Sequence, residues 1–134
     1  MYCIDASVIL SAIRPKELLS AKSQSFLNSL KQNELKVFCP EIIVSEIASG
    51  LFRATKDAYL SRDFSLAIRD LPNFSFVAVD SRLVDLAVWV IMETGLRGAD
   101  AIYVALAYDY QLELITLDKE QLQKGGKIIK TRTP

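Results

Sequence analysis

Short apolar runs alternate with helix-patterned segments along the whole of this chain, and that alternation restricts it to one fold class. Tyr2 to Asp5 opens as a short apolar run ending in a carboxylate, and Ser7 carries a hydroxyl suited to starting the helix Val8 to Ile13. After Pro15, the stretch Glu17 to Asn33 puts Leu19, Ser23, Phe26, Leu27 and Leu30 on one helical face. Leu35 to Cys39 reads as a second strand stopped by Pro40, a proline placed to open the helix through Ile42, Ile43, Ile47 and Leu51, which Gly50 limits or kinks. A helix from Lys56 to Leu71 is ended by Pro72-Asn73, a strand Phe74 to Val79 follows, and Asp80-Ser81 caps a helix Leu83 to Thr94. Gly95 and Gly98 bracket a turn before Ala101 to Ala107, an uncharged stretch expected to form a central buried helix. Glu113 to Leu117 is the next strand, a short helix runs through Leu122, and Lys127 to Lys130 gives a last strand.

Parallel neighbours in a sheet need crossover helices between them. The pattern therefore predicts a single α/β domain over residues 1–134, with a mostly parallel central sheet flanked by helices on both faces. The ligand site of such a sheet lies beyond the carboxyl ends of its strands, where Asp5 and Asp118 fall. The helix Leu83 to Thr94 is apolar nearly all round, because Val84, Val88 and Trp89 add to its inward stripe. Either a second layer of the chain covers it or a second subunit does, and a homodimer is the preferred expectation.

Composition removes several chemistries. The chain has no histidine, which eliminates a Ser-His-Asp triad, a Cys-His pair and the usual zinc ligands. Its two cysteines, Cys3 and Cys39, sit in apolar surroundings without CxxC spacing and read as buried reduced thiols. No apolar run is long enough to span a bilayer, and the opening lacks the basic-then-apolar pattern of a secretion signal, so a cytoplasmic protein without a membrane partner is expected. Net charge is zero, which at first argues against a nucleic-acid partner. With four of the sixteen acids drawn into one pocket, twelve remain against sixteen bases, a remainder of +4 on the rest of the molecule.

Catalysis in this chain must use carboxylates. Asp5 and Asp118 end strands, Asp100 opens the most apolar helix, and Glu46, about two turns into its own helix, leans over the same crevice. Uncompensated, the four would repel and raise one another's pKa. A divalent cation resolves the conflict, and a set of carboxylates without imidazole or thiolate selects Mg2+ or Mn2+ over zinc. Two such ions activate a water and stabilise the leaving oxygen of a phosphodiester, giving in-line hydrolysis without a protein base. Each acid also has a plainer reading. Asp5 would cap its helix through the Val8 or Ile9 amide, Asp100 would complement a helix dipole, Asp118 would be a turn residue and Glu46 a solvated one. Convergence favours the metal reading for Asp5, Asp100 and Asp118, and Thr116, on the same side of its strand as Asp118, supports it, while Glu46 stays open between the two readings on its position alone. Arg14, Arg97 and Lys119 are open between contacts to RNA phosphates and solvated surface charges. Tyr103, Tyr108 and Tyr110 read as core and edge packing.

These residues also carry a resemblance. Tyr2-Cys3-Ile4-Asp5-Ala6-Ser7-Val8, Pro40 through Glu46, Arg97 through Ala107 and Leu114-Ile115-Thr116-Leu117-Asp118-Lys119 resemble, in order and spacing, the motifs of the PIN domain ribonucleases, especially the VapC toxins of VapBC toxin-antitoxin systems. The resemblance implies that Asp5, Glu46, Asp100 and Asp118 are the catalytic, metal-binding acids, supported by hydrogen bonds from Ser7 and Thr116. Glu120 is a loose match to a further family acid. It further implies a Mg2+- or Mn2+-dependent endoribonuclease acting on tRNA or ribosomal RNA, a homodimer, and a cognate antitoxin whose extended tail blocks the crevice. A PIN nuclease of RNA processing or quality control, and a PIN-like module that binds RNA or protein without cutting, are the alternatives. A haloacid-dehalogenase phosphatase would need an aspartate where Ser7 stands, and a receiver domain would need adjacent acids after the first strand.

Overall fold

The structure, a computed structural model, describes residues 1–134. The elements are β1 (Tyr2–Ile4), α1 (Ala6–Ala12), α2 (Ser20–Gln32), β2 (Val37–Pro40), α3 (Ile43–Thr55), α4 (Ala58–Ala67), β3 (Phe74–Val77), α5 (Ser81–Thr94), α6 (Gly98–Asp109), β4 (Glu113–Ile115) and β5 (Thr131–Arg132). A 3₁₀ turn, Ile68–Asp70, continues α4, and a π-helical turn, Gln121–Gly125, separates β4 from β5.

The strands form one sheet in the order β3-β2-β1-β4-β5, and every pair is parallel. Cys3, Ile4, Val37, Cys39, Leu114 and Ile115 are fully buried, the apolar continuity required of strands covered on both faces. The chain runs from β1 outward to β3 and then returns to the other side of β1 as β4. With right-handed crossovers, that reversal puts α1 to α4 on one face and α5 and α6 on the other. Packing agrees: α1 meets α2 and α3, α3 meets α4, and α5 meets α6, which lies against β1, β2 and β4. The order reverses between β1 and β4, which leaves a crevice at their carboxyl ends.

Several local expectations need correction. Pro40 closes β2 opposite Val77 rather than opening a helix, and the next amide, on Glu41, donates to the Val77 carbonyl at 2.8 Å. The helix starts three residues later, which places Glu46 in its first turn. Gly50 neither ends nor kinks α3. A Cβ there would come within 2.5 Å of Leu10 Cδ1, so its glycine admits the close approach of α1. The helix expected from Glu17 starts at Ser20, because residues 14–19 turn through the bonds Glu17 N to Arg14 O and Ser20 N to Glu17 O. The helix expected from Lys56 starts at Ala58, since Lys56 is left-handed (φ 58°) and Asp57 accepts from the Leu60 amide at 2.9 Å. The last strand lies at Thr131–Arg132, not 127–130, because the π turn and the bends after it take up those residues.

Two expectations hold. Asp80 caps α5 by accepting from the Leu83 amide, and Ala101, Tyr103, Val104, Ala105, Leu106 and Ala107 of α6 are all fully buried. The outer side of α5 is covered by no further layer of the chain: Val84, Val88, Trp89 and Met92 are exposed.

Candidate metal centre

The crevice between the ends of β1 and β4 is a cleft of about 760 Å³ lined by Asp5, Ala6, Ser7, Leu10, Ser45, Glu46, Ser49, Arg53, Asp100, Leu117 and Asp118. All four acids expected from the sequence therefore face one space. Asp5 leaves β1 with its amide bonded to the Ile115 carbonyl of β4 at 3.0 Å, which fixes it at the carboxyl end of the central strand. Its side chain caps α1 by accepting from the Ser7 amide at 3.0 Å, the role expected of Ser7. The Ser7 hydroxyl instead accepts from the Leu117 amide at 3.0 Å and ties β1 to the segment after β4. Thr116 Oγ1 donates to Asp5 Oδ2 at 3.3 Å and accepts from the Asp118 amide at 3.0 Å, linking two of the acids. Asp118 in turn accepts from the Gln121 amide at 2.8 Å and starts the π turn.

Two groups that the sequence reading passed over complete the arrangement. Gln121, fully buried, donates from Nε2 to Asp5 Oδ1 and to Asp100 Oδ1, each at 3.3 Å. The Tyr103 hydroxyl, read from the sequence as packing alone, donates to Glu46 Oε2. Helical spacing held the signal for Tyr103, one turn after Asp100 on α6. It also held that for Arg53, seven residues after Glu46 on α3 and on the same face. Nothing in the sequence marked Gln121.

No Lys or Arg forms an ion pair with any of the four acids; the ion pairs of the chain all lie elsewhere. Neutral donors alone hold the carboxylates in place. Burial raises the Glu46 carboxyl above its ordinary range; the Tyr103 bond lowers it, and the charges of Asp5 and Asp100 push it up again. Burial likewise raises Asp100, with Asp118 and Asp5 adding to the rise and Gln121 and Arg97 opposing it. Two carboxyls raised by burial and by the charge of neighbouring acids, with no ion-pair partner in the cleft, are an arrangement that positive charge would relieve.

Those residues fit a hard divalent cation. The donors are oxygens, and the buried Gln121 Oε1, on the amide that touches both Asp5 and Asp100, has no hydrogen-bond partner in the protein. The four acids are not drawn tightly round one point, and no three of them are close enough to hold a single ion as placed. The pair Asp5 and Asp100 with water ligands matches the way Mg2+ is usually held, by one or two carboxylates.

The remaining candidates lie outside the cleft lining. Arg14 donates to the Gly50 carbonyl at 2.7 Å and to Glu17 at 3.0 Å, pinning α1 to α3. Arg97 precedes α6 and acts on Asp100 by its charge, while Lys119 is exposed and forms no ion pair. Glu120 pairs with Lys124 at the surface, so the residue turned inward at this point is Gln121. Burial pushes the Cys3 thiol up and holds Cys39 at about 12, and both are unpaired, protonated thiols in the core.

No helix is long and apolar enough to cross a membrane. No curated protein matches the chain by sequence. Among solved structures, the fold is similar to Mycobacterium tuberculosis VapC20, described as a sarcin-ricin loop cleaving toxin, with a TM-score of 0.81 at 14% identity over 100% of both chains. It is also similar to a chain of the FitAcB structure from Neisseria gonorrhoeae (TM-score 0.76, 18% identity, 100% of this chain and 98% of that one). A third is a chain of a toxin-antitoxin complex from Klebsiella pneumoniae (TM-score 0.73, 19% identity, 100% and 98%). The sequence profile of the PIN domain matches residues 2–127. The chain belongs to the PIN domain family.

Proposed function

We propose that this PIN domain is a Mg2+- or Mn2+-dependent ribonuclease, the toxin of a toxin-antitoxin pair, that hydrolyses RNA phosphodiester bonds with Asp5, Glu46, Asp100 and Asp118 as its metal-binding acids. One observation carries the reading: four carboxylates share a cleft at the sheet's switch point, held by neutral donors and ion-paired with no cationic side chain. When bound, divalent ions supply charge compensation and water activation at a phosphodiester. Asp5 and Asp100 hold the ion, Asp118 and Glu46 extend the donor set, and Ser7 and Thr116 keep Asp5 and Asp118 in register across β1 and β4. Arg53, exposed in the lining of the cleft and in no ion pair, is available to an RNA phosphate.

The toxin assignment is supported by the solved relatives, which include toxin-antitoxin complexes from several bacteria. A groove of about 500 Å³ between α3 and α4, lined in part by Val44, Ala48, Phe52 and Leu66, shares Ser45 with the acidic cleft. An antitoxin tail lying in that groove would run into the acids. The exposed apolar side of α5, continued by Tyr108 packed on Trp89 with ring centroids 5.0 Å apart, supports a homodimer. The expected setting is the cytoplasm, with tRNA or ribosomal RNA as substrate. Asp5→Asn and Asp100→Asn each remove cation ligands without altering packing, so both are expected to abolish Mn2+-dependent cleavage of single-stranded RNA while remaining folded by circular dichroism. Full cleavage by both variants would sink the assignment.

A further inference from the structure

The π turn after β4 places a neutral side chain at the centre of the acidic cluster. Gln121 is fully buried, yet apolar residues would fill such a position at lower cost, because an amide taken from water must recover its hydrogen bonds. Its Nε2 recovers two of them, from Asp5 Oδ1 and Asp100 Oδ1, both at 3.3 Å. The orientation of the amide is fixed by chemistry, since Oε1 turned the same way would face two carboxylate oxygens. Oε1 is left buried without a donor, an arrangement that a native fold keeps for a reason.

Asp5 and Asp100 come from different elements, the end of β1 and the first turn of α6, and no backbone bond joins them. Each repels the other, and the charge of Asp5 raises the Asp100 carboxyl. The Gln121 amide is the one side chain that bonds to both. It is itself anchored, since its backbone amide donates to Asp118 at 2.8 Å. A single residue thereby touches three of the four acids.

We propose that Gln121 is a positioning residue that gathers the cation site in advance, its Nε2 bridging Asp5 to Asp100 and its unpartnered Oε1 offering an acceptor to a water ligand of the incoming divalent ion. This rests on the metal-dependent reading above. The bridge does for the metal-free cluster, with two weak partial charges, part of what the cation does with two full ones. Binding then begins from carboxylates already held together, with less reorganisation to complete. Because the amide acts through Asp5 and Asp100, its loss should raise the cation requirement and leave the chemistry at saturating cation intact.

The test is a Mn2+ titration of the full chain by calorimetry, for wild type, Gln121→Met and Gln121→Glu, with melting temperatures measured with and without Mn2+. Gln121→Met keeps the volume and removes both polar atoms. It is expected to bind Mn2+ about 10–100-fold more weakly, the usual cost of deleting a partner of metal-ligating residues, and to regain the wild-type RNA cleavage rate when Mn2+ is raised to saturation. Gln121→Glu adds a charge to the donor set and is expected to bind more tightly, from a metal-free state that melts below wild type. Unchanged Mn2+ affinity in Gln121→Met reduces Gln121 to packing and overturns the inference while the ribonuclease reading stands. If Gln121→Met does not fold, Gln121→Leu takes its place, and wild-type Mn2+ affinity in that variant overturns the inference. A wild-type chain that binds no Mn2+ overturns both readings together.

Discussion

Removing one hydroxyl from the core should disturb the edge of the cleft more than the packing beneath it. Tyr103 is fully buried on α6, and its hydroxyl donates to Glu46 Oε2 on α3, so Tyr103→Phe keeps the ring and deletes a bond between helices on opposite sides of the sheet. A hydrogen bond to a charged group contributes about 1.5–3 kcal/mol. Glu46 is only half-buried, and water reaching the abandoned carboxylate recovers part of the loss, so the lower end applies, about 1.5–2 kcal/mol. For a chain of this size that corresponds to a fall in melting temperature of about 6–8 °C at pH 7.5 without divalent cation. The bond is also the one influence that lowers the Glu46 carboxyl against burial, Asp5 and Asp100. Without it the carboxyl rises further, and the acidic limb of RNA cleavage should move to higher pH. The assay is urea unfolding of wild type, Tyr103→Phe, Glu46→Ala and the double variant, together with the pH profile of cleavage by wild type and Tyr103→Phe. A coupling energy near zero in that cycle, or a melting temperature unchanged by Tyr103→Phe, would show that the bond adds nothing to the hold of α6 on α3.

Three further outcomes follow from the same geometry. Glu46 and Asp100 are raised in the fold, so the stability that their protonation contributes is complete below their ordinary values, 4.5 and 3.8, and is lost as pH rises through the elevated folded ones. The metal-free protein should accordingly melt at lower temperature at pH 8 than near pH 5, and Asp100→Asn should melt above wild type at pH 8 without cation and lose that advantage near pH 4; equal pH dependence in both proteins would contradict this. Gly125→Ala puts a Cβ at 2.9 Å from Cγ2 of the fully buried Val104, a stiff β-branched neighbour, and should destabilise by about 1–3 kcal/mol in urea unfolding. Val88→Glu, on the exposed apolar side of α5, should convert a dimer to a monomer by light scattering without loss of helicity, and a dimer of unchanged mass would remove α5 from the interface.

What the sequence made legible was whatever depends on pattern at one position. Strand and helix alternation set the parallel sheet, and Asp5 and Asp118 were placed by the rule that such sheets bind ligands at the carboxyl ends of their strands. The details it missed depend on partners distant in the chain. Pro40 is compatible with a strand end or a helix start, and only the pairing with Val77 decides between them. Gly50 resembles a breaker until Leu10 is seen against it. Arg14 has the charge of a substrate contact but is spent on the Gly50 carbonyl and Glu17. Gln121 carries neither charge nor hydrophobicity to mark it, and its place between Asp5 and Asp100 arises from a π turn that no periodicity foretells.

In the proposed reaction, water activated at cations held by these carboxylates is the nucleophile. Mass spectrometry of the ends left on a single-stranded RNA, cut by the purified chain in Mn2+, tests it directly. Linear phosphate ends are expected from wild type, with no cleavage in excess chelator and none by Asp5→Asn. Ends bearing a 2′,3′-cyclic phosphate, or cleavage that persists in chelator, would contradict it.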